Sequence, residues 1–435
     1  MHPLEMLRSP QLTTTKRFAL AAGLTTFPED ILERADDIEI LDLSNNALTT
    51  LPDSFAQLRN LRIAFFNNNA FERVPEVLSQ CPQLSMIGFK ANQITTLPAA
   101  ALPPATRWLI LTDNRLATLP DTMGQLPSLQ KLMLAGNQLR ALPDTLAACQ
   151  NLELIRIAAN QIDRLPPWLL TLPRLSWLAY AGNPCCPAPA GSTLPAIPWA
   201  DLTLGEVLGQ GASGVISRGV WRQGDSETPV AVKVFKGSIT SDGLPEDEMR
   251  ACIAAGAHPH LIGPLGQGVG HPDQKNALVL PLVPPSYQVM GAPPSLESCT
   301  RDTYPDNLEF SLDAVVAIAT GVAAAAAHLH QRGILHGDLY PHNTLIDPSG
   351  DARLSDFGAA SFYDPADSAI APALERLEVR AWGCLLEDLC DRCPAPAHHL
   401  DPLRQLQQAC MQPEVLTRPG FQAVLSELET LMGQV

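Results

Sequence analysis

The sequence predicts an α/β solenoid in its first half and an α+β domain in its second half. The first prediction depends on an asparagine that recurs every 22 or 23 residues, at positions 46, 69, 92, 114, 137, 160 and 183. The second depends on alternating apolar runs and helix-like runs that begin after a proline-rich break. A chain of 435 residues is long enough to bury more than one core.

Apolar residues occupy fixed places around each asparagine. Residues 41–52 read Leu-x-Leu-x-x-Asn-x-Leu-x-x-Leu-Pro, and residues 87–98 and 132–143 follow the same apolar pattern. The pattern resembles the leucine-rich repeat family over about residues 20–184, with a looser capping unit at its start. We expect a short strand at each Leu-x-Leu pair. We also expect each asparagine to hydrogen-bond backbone groups at the following turn, which is a structural role.

The residues that flank the first leucine of each pair should face the concave side of the solenoid. This face would carry apolar side chains at Phe65, Trp108, Ile110, Met133 and Trp177. Contiguous exposed apolar surface is typical of partner sites. We therefore expect a protein partner or substrate on the concave face, or docking of the repeats on the second half of the chain. A frame error of one residue is the competing interpretation.

Prolines and small residues mark the boundary between the halves. Residues 184–198 contain five prolines and continue neither the repeat nor a helical pattern, which predicts an extended spacer. The predicted organisation is an N-terminal arm at 1–19, the repeat domain at 20–184, a linker at 185–198 and the second domain at 199–435.

The second domain opens with glycines at 209, 211 and 214, followed by the strand-like run 215–220. Gly-x-Gly-x-x-Gly also occurs in dinucleotide-binding turns, but those lead into a helix, so the strand favours a hairpin. Val230-Ala231-Val232-Lys233 follows, and this half has lysine only at 233, 236 and 275. The two segments resemble the glycine-rich hairpin and the lysine strand of protein kinases.

The central motif is His-Gly-Asp-Leu-Tyr-Pro-His-Asn at residues 336–343, followed by Asp356-Phe357-Gly358. It resembles the catalytic and magnesium loops of protein kinases. The resemblance implies an ATP-dependent phosphotransferase in which Asp338 accepts the proton of the attacking hydroxyl. It also implies that Asn343 and Asp356 hold Mg²⁺.

The kinase resemblance covers about residues 199–433 and implies a bilobal α+β fold. Glu248, on the helix-like run 245–255, would pair with Lys233. Leu280 would border the adenine pocket, and the backbone of Pro281 and Val283 would bind the base. The glycine-rich hairpin would approach the phosphates with Gly209, Gly211 and Gly214, and the remaining implied nucleotide contacts are Val215, Ala231 and Leu345.

Several positions depart from the family pattern. Gly337 replaces the usual arginine, which in most kinases contacts a phosphorylated activation loop. Tyr340 replaces a phosphate-contacting lysine, and Glu378 stands where the family has aspartate. The segment Ala371-Pro372-Ala373 lacks the usual glutamate, so we expect Glu375 to pair with Arg418 instead.

These departures predict a slow protein kinase controlled by its repeats and not by loop phosphorylation. Pro341 resembles the loop of serine/threonine kinases, whereas the missing lysine does not, so serine/threonine specificity is expected and tyrosine specificity stays open. The competing phosphorylation sites are Ser361, Tyr363 and Ser368. Two alternatives remain open. His-Gly-Asp-x-x-x-x-Asn also resembles small-molecule kinases of the aminoglycoside and choline type, although the glycine-rich loop and Phe-Gly disfavour that class. A catalytically inactive scaffold is the other alternative, disfavoured because Lys233, Asp338, Asn343 and Asp356 are retained.

Charge and cysteine usage suggest the compartment and partners. Residues 199–435 hold 14 Lys and Arg against 29 Asp and Glu, which is −15 of the net −16 and argues against nucleic acid and anionic membrane. The start of the chain lacks an apolar signal, and the alanine-rich run 314–327 is too short to span a bilayer. Ten cysteines without zinc spacing predict free thiols in a cytoplasm. The Ala-, Pro- and Leu-rich composition is typical of bacterial proteins.

Overall fold

The computed structural model describes residues 16–186, 194–211, 213–237 and 239–432. The chain divides into two compact units, Met1–Leu172 and Pro173–Val435. This division falls before the predicted end of the repeats at residue 184. The repeat that contains Asn183 therefore belongs to the same compact unit as the second half of the chain.

The described residues of the first unit contain seven short strands: β1 (Arg17–Ala19), β2 (Ile40–Asp42), β3 (Ile63–Phe65), β4 (Met86–Gly88), β5 (Trp108–Ile110), β6 (Lys131–Met133) and β7 (Leu154–Arg156). Each pairs in parallel with the next, so neighbours in sequence are neighbours in the sheet. The central residue of every strand is buried, and Phe65, Trp108 and Ile110 at strand ends are half-buried. Met133 and Trp177, which were also expected on the exposed face, are buried. The predicted repeat frame is therefore confirmed.

Short 3₁₀ helices return the chain from one strand to the next, at Glu29–Asp37, Asp53–Gln57, Glu76–Gln80, Asp121–Gln125, Asp144–Ala148 and Pro167–Thr171. A proline with extended backbone precedes each of them. The restricted φ of proline suits this position, and its missing N–H removes a donor that the start of a helix cannot satisfy internally. The proline that follows an apolar residue of the repeat thus sets where each return segment begins.

The recurring asparagines bridge consecutive repeats. The Asn69 side-chain nitrogen donates to the carbonyls of Leu43 (2.9 Å) and Phe66 (3.1 Å), and its oxygen accepts from the Leu48 N–H (2.9 Å). Equivalent bonds recur at Asn92, Asn114, Asn137 and Asn160. The residue before each asparagine has positive φ, including Ala91 and Ala159. The structural role predicted for the asparagines is confirmed.

The second unit begins with the eighth repeat strand, β8 (Trp177–Ala179), and continues into a mixed sheet. Its strands are β9 (Ala196–Pro198), β10 (Leu202–Gln210), β11 (Gly214–Gln223), β12 (Ser226–Phe235), β13 (Gly266–Val269) and β14 (Ala277–Pro281), in the order β10-β11-β12-β14-β13-β9. Helix α1 (Pro245–Ala255) follows β12 in sequence, over the run predicted to be helical. The core of this sheet contains Ile197, Leu202, Val230, Val232, Ala277 and Val279.

The predicted spacer at 185–198 is wrong at its carboxyl end, because β9 pairs in parallel with β13. Ile197 is buried there, and a Cβ placed on Gly266 would lie 2.4 Å from its Cδ1 atom. An apolar side chain opposite a glycine can enter the sheet core, which the proline count did not indicate. Residues 187–193 of the predicted linker lie outside the described part of the chain.

The remainder of the second unit is mostly helical, with α2 (Leu312–Gln331), α3 (Ala371–Asp391), α4 (Ala397–Cys410) and α5 (Phe421–Met432). Small strands lie between them: β15 (Gln288–Val289), β16 (Ile334–Leu335), β17 (Thr344–Ile346), β18 (Ala352–Leu354) and β19 (Ser361–Phe362). Among the described residues, α2 is the one helix long and apolar enough to cross a membrane. It packs against α3 and α5, and Trp382 Nε1 donates to its Ala319 carbonyl (3.0 Å), as expected for a core helix.

Candidate active site

A cleft of about 530 Å³ lies in the second unit. Segments far apart in sequence line it: the strands β11, β12 and β14, the residues that follow β14, helix α1, strand β17 with the two residues before it, and the residues that follow β18. Nine of the predicted site residues lie along this cleft, namely Ala231, Lys233, Glu248, Leu280, Pro281, Val283, Asn343, Leu345 and Asp356. The fold therefore brings together the predicted lysine, the predicted metal ligands and the predicted adenine contacts.

Lys233 and Glu248 form a buried ion pair at the back of the cleft. Their side chains are only 10% and 3% exposed. Burial acts to lower the pKa of Lys233, but the charges of Glu248 and Asp356 outweigh it and raise the pKa above its ordinary value. Lys233 is therefore a cation at neutral pH, positioned by a carboxylate on α1.

Asp338 and Asn343 are tied to one another across the catalytic loop. The Asn343 Nδ2 atom donates to the Asp338 carbonyl (3.0 Å) and to its Oδ2 atom (2.7 Å). Because the amide nitrogen is committed to Asp338, Oδ1 is the Asn343 side-chain atom that could hold a metal ion. Asp356 has positive φ (58°), and its Oδ1 atom accepts the Gly358 N–H (3.0 Å). Asp338 itself does not line the cleft, but it is hydrogen-bonded to Asn343, which does.

Buried Glu378 fixes the start of this loop. Its two carboxylate oxygens accept the backbone N–H groups of His336 (3.2 Å) and Gly337 (2.7 Å), and its Oε2 atom is 2.8 Å from His330 Nε2. Burial alone would raise its pKa, yet His330, His336 and the backbone donor hold the pKa below the ordinary value. Glu378 is therefore a charged anchor for the loop, in the place where the family has aspartate.

The glycine-rich segment forms a β-hairpin. Gly209 lies at the end of β10, and Gly214 is the first residue of β11. A strand and not a helix therefore follows the glycines, which excludes the dinucleotide-binding alternative. A Cβ on Gly209 or Gly211 would meet open space. A Cβ on Gly214 would lie 2.7 Å from the Val234 carbonyl, so this glycine permits close strand packing. The three glycines and Val215 do not line the cleft.

His342 lines the cleft, although the sequence did not single it out. Its backbone N–H donates to Asp302 Oδ2 (2.7 Å), and its Nδ1 atom is 2.8 Å from Asp302 Oδ1. Burial opposes protonation, but Asp302 and Asp338 outweigh it and raise the pKa of His342. Tyr340, at the family's lysine position, is buried away from the cleft. His342 and Asp302 are 40 residues apart and share no local sequence pattern, so no sequence signal identified this pair.

The expectation that Glu375 pairs with Arg418 is wrong. Arg418 donates to the backbone carbonyls of Gln412, Arg376 and Pro173. Glu375 instead accepts the Phe421 N–H at 2.8 Å, at the start of α5. Free amides at a helix start attract a carboxylate, and this competes with pairing to an arginine.

Comparison with known proteins assigns families to the two parts of the chain. Residues 202–383 match the protein tyrosine and serine/threonine kinase family. Residues 37–58 and 104–162 match leucine-rich repeat families. The chain thus carries leucine-rich repeats followed by a protein kinase domain, in agreement with the solenoid and the mixed α+β architecture.

Curated relatives carry serine/threonine kinase names. The serine/threonine-protein kinase PknK of Mycobacterium tuberculosis is 33% identical over 184 residues, which are 40% of this chain and 15% of PknK. A receptor-like serine/threonine-protein kinase of Arabidopsis thaliana, At4g25390, is 28% identical over 169 residues, 38% of this chain and 24% of that protein. The aligned segments span from 9% to 24% of the relatives' own lengths.

Proposed function

We propose that this protein is an ATP- and Mg²⁺-dependent protein kinase that phosphorylates serine or threonine. One observation supports it most: Lys233 lines one cleft together with Asn343 and Asp356, which lie more than 100 residues further along the chain, and Asn343 is hydrogen-bonded to Asp338. The matched kinase family and the names of the relatives support a protein acceptor over a sugar or amino alcohol.

The chain's own residues account for the steps of phosphoryl transfer. Lys233, held cationic by Glu248, would pair with the nucleotide phosphates. Asp338 would orient the acceptor hydroxyl and take its proton as the oxygen attacks the terminal phosphorus, while the bond from that phosphorus to the bridging oxygen breaks and ADP leaves. Glu378 would keep the loop in place through the His336 and Gly337 amides. The apolar walls of Ala231, Val283 and Leu345 would exclude water from the base.

The donor set fits a magnesium ion. Asn343 Oδ1 and the Asp356 carboxylate are hard oxygen ligands, and Mg²⁺ commonly binds one or two such groups together with substrate phosphates. When bound, the ion would neutralise charge on the transferred phosphoryl group.

The test is autophosphorylation with labelled ATP and Mg²⁺, wild type beside Asp338→Ala, followed by identification of the modified residues. We expect label on serine or threonine and a loss of about 10²- to 10⁴-fold in the variant, the usual range for a removed general base. Label on tyrosine alone would contradict the specificity. Labelling of an aminoglycoside or choline without any protein would favour the small-molecule alternative. Nucleotide binding without transfer would favour the scaffold.

We further propose that the concave face of the repeats binds a protein partner or substrate. Phe65 on β3 and Trp108 and Ile110 on β5 are half-buried apolar side chains on the two strands that flank β4, which suits a protein interface. Replacing Phe65 and Trp108 by Ser should abolish capture of a partner isolated with the wild-type protein. Unchanged capture would contradict the proposal.

We also propose that the protein is cytoplasmic and of bacterial origin. The ten cysteines are free thiols, which suits the cytoplasm, and fractionation of producing cells would test this. A bacterial origin is supported by the Ala-, Pro- and Leu-rich composition.

A further inference from the structure

The terminal repeat contacts the catalytic loop within the second unit. Trp177, the first residue of β8, is buried, and its ring stacks on Tyr340 with centroids 4.4 Å apart and planes 8° from parallel. Its Nε1 atom donates to the Leu339 carbonyl at 3.1 Å. Leu339 and Tyr340 directly follow Asp338 in the chain. The tryptophan therefore holds the backbone next to the proposed base.

The same repeat fills the space beside Gly337. This glycine has φ of 72°, and a Cβ placed on it would lie 2.5 Å from the Leu178 carbonyl oxygen and 2.6 Å from that of Ala359. No side chain fits between these carbonyls without movement of the backbone. The arginine that most kinases have here is thus incompatible with the position of the terminal repeat.

The terminal repeat also holds the segment that follows Gly358. The Tyr180 N–H donates to Ser361 Oγ (2.9 Å), and the Tyr180 hydroxyl donates to the Phe362 carbonyl (3.1 Å). The Phe362 N–H donates to Cys186 Sγ (3.1 Å). Ser361 and Phe362 form β19, which pairs with β16 just before the catalytic loop. One short stretch of repeat therefore holds both ends of the loop system.

We propose that residues 176–186 are a built-in positioning element for the catalytic loop, which makes the kinase active without phosphorylation of its activation segment. In other kinases, a phosphorylated residue orders this segment by pairing with arginine. Here Gly337 provides no such arginine, and an aromatic stack with four named hydrogen bonds joins the same parts of the site.

The burial of Ser361 supports positioning of the catalytic loop by residues 176–186 over activation by phosphorylation of the loop. Ser361 is fully buried, and its hydroxyl accepts the Tyr180 N–H. A phosphate there would bring between one and two negative charges into that buried contact. The Tyr363 hydroxyl is likewise engaged, 2.7 Å from His330 Nδ1. Ser368 is exposed and has no part in these contacts.

This inference depends on the proposed kinase activity. Trp177 and Tyr180 are positioning residues, since neither lines the cleft. A displaced loop lowers the rate of transfer, whereas the walls of the nucleotide cleft stay in place. A misplacement of about 1 Å can cost about 10²-fold in rate. The element should therefore act on kcat and leave KM for ATP nearly unchanged.

The experiment measures kcat and KM for ATP in full-length wild type, Trp177→Phe, Trp177→Ala and Tyr180→Phe, before and after phosphatase treatment. We expect about a tenfold to hundredfold loss of kcat for Trp177→Ala, within the range that loop misplacement can produce. Trp177→Phe and Tyr180→Phe should lose less, KM for ATP should stay within about twofold, and phosphatase should have no effect.

The matched control is Trp168→Phe, which removes another indole that donates a hydrogen bond, to Asp144 Oδ1 (3.1 Å), in the first unit. Its kcat should equal that of wild type. If Trp177→Ala does not fold, the two phenylalanine variants still decide. Wild-type kcat in both folded phenylalanine variants, or inactivation by phosphatase, would overturn the inference. An inactive wild type would instead overturn the proposed function.

Discussion

Trp108 and Trp177 occupy the same place in two repeats, since each is the first residue of its strand, yet their surroundings differ. Trp108 is half-buried, with the Lys131 ammonium 4.1 Å from its ring centroid and its Nε1 atom donating to Met133 Sδ (3.3 Å). Trp177 is 1% exposed and stacks on Tyr340 of the catalytic loop. The position in a repeat determines where the tryptophan is attached to the strand, whereas the element packed against it determines its burial and its contacts.

A change at the contact of the terminal repeat should have the largest effect. Gly337→Ala places a Cβ against the Leu178 and Ala359 carbonyls at positive φ. We expect a loss of more than about 3 kcal/mol in the free energy of unfolding, because backbone strain adds to steric overlap. Urea unfolding followed by circular dichroism measures it.

Gly136→Ala is the control, because Gly136 has nearly the same φ (71°) in an internal repeat. Other repeats have alanine at this position, so we expect a loss of only about 1 kcal/mol. Equal losses in the two variants would show that the terminal repeat does not pack tightly against Gly337.

Removing the two tryptophans compares their packing directly. Trp177→Ala should lower the free energy of unfolding by about 3–5 kcal/mol, the usual cost of emptying a buried aromatic site. Trp108→Ala should cost about 1–2 kcal/mol, because its ring is partly exposed. Urea unfolding measures both free energies. A larger loss for Trp108→Ala than for Trp177→Ala would contradict the expectation that Trp177 is the more tightly packed.

The smallest expected effect concerns the turn before each repeat asparagine. Ala91 has φ of 54°, whereas the terminal repeat has Gly182 there, at 70°. Ala91→Gly should raise the free energy of unfolding by about 0.5 kcal/mol, because relief of left-handed strain slightly exceeds the entropic cost of glycine. Gly182→Ala should lower it by a similar amount. Thermal unfolding midpoints that move in the same direction for both would contradict this account.

Much of the site was predictable because motifs identify residue types at short spacing. Lys233, Asn343 and Asp356 were assigned from local strings, and all three line the cleft. His342 was missed, because its partner Asp302 lies in a loop without a pattern. The expected pairing of Glu375 with Arg418 failed for a similar reason: backbone groups nearby in space, which no spacing indicates, took both side chains.

The sequence alone determined the repeat frame, since each repeat packs on its immediate neighbours and an error-free period of 22 or 23 residues records that contact. It also determined which residue types carry the proposed chemistry. Only the tertiary structure decided that the Trp177 indole donates to the Leu339 carbonyl, 162 residues away, and that the Tyr180 N–H donates to Ser361, 181 residues away. Such contacts depend on how separate elements pack together, and packing between distant segments leaves no periodic trace in the chain.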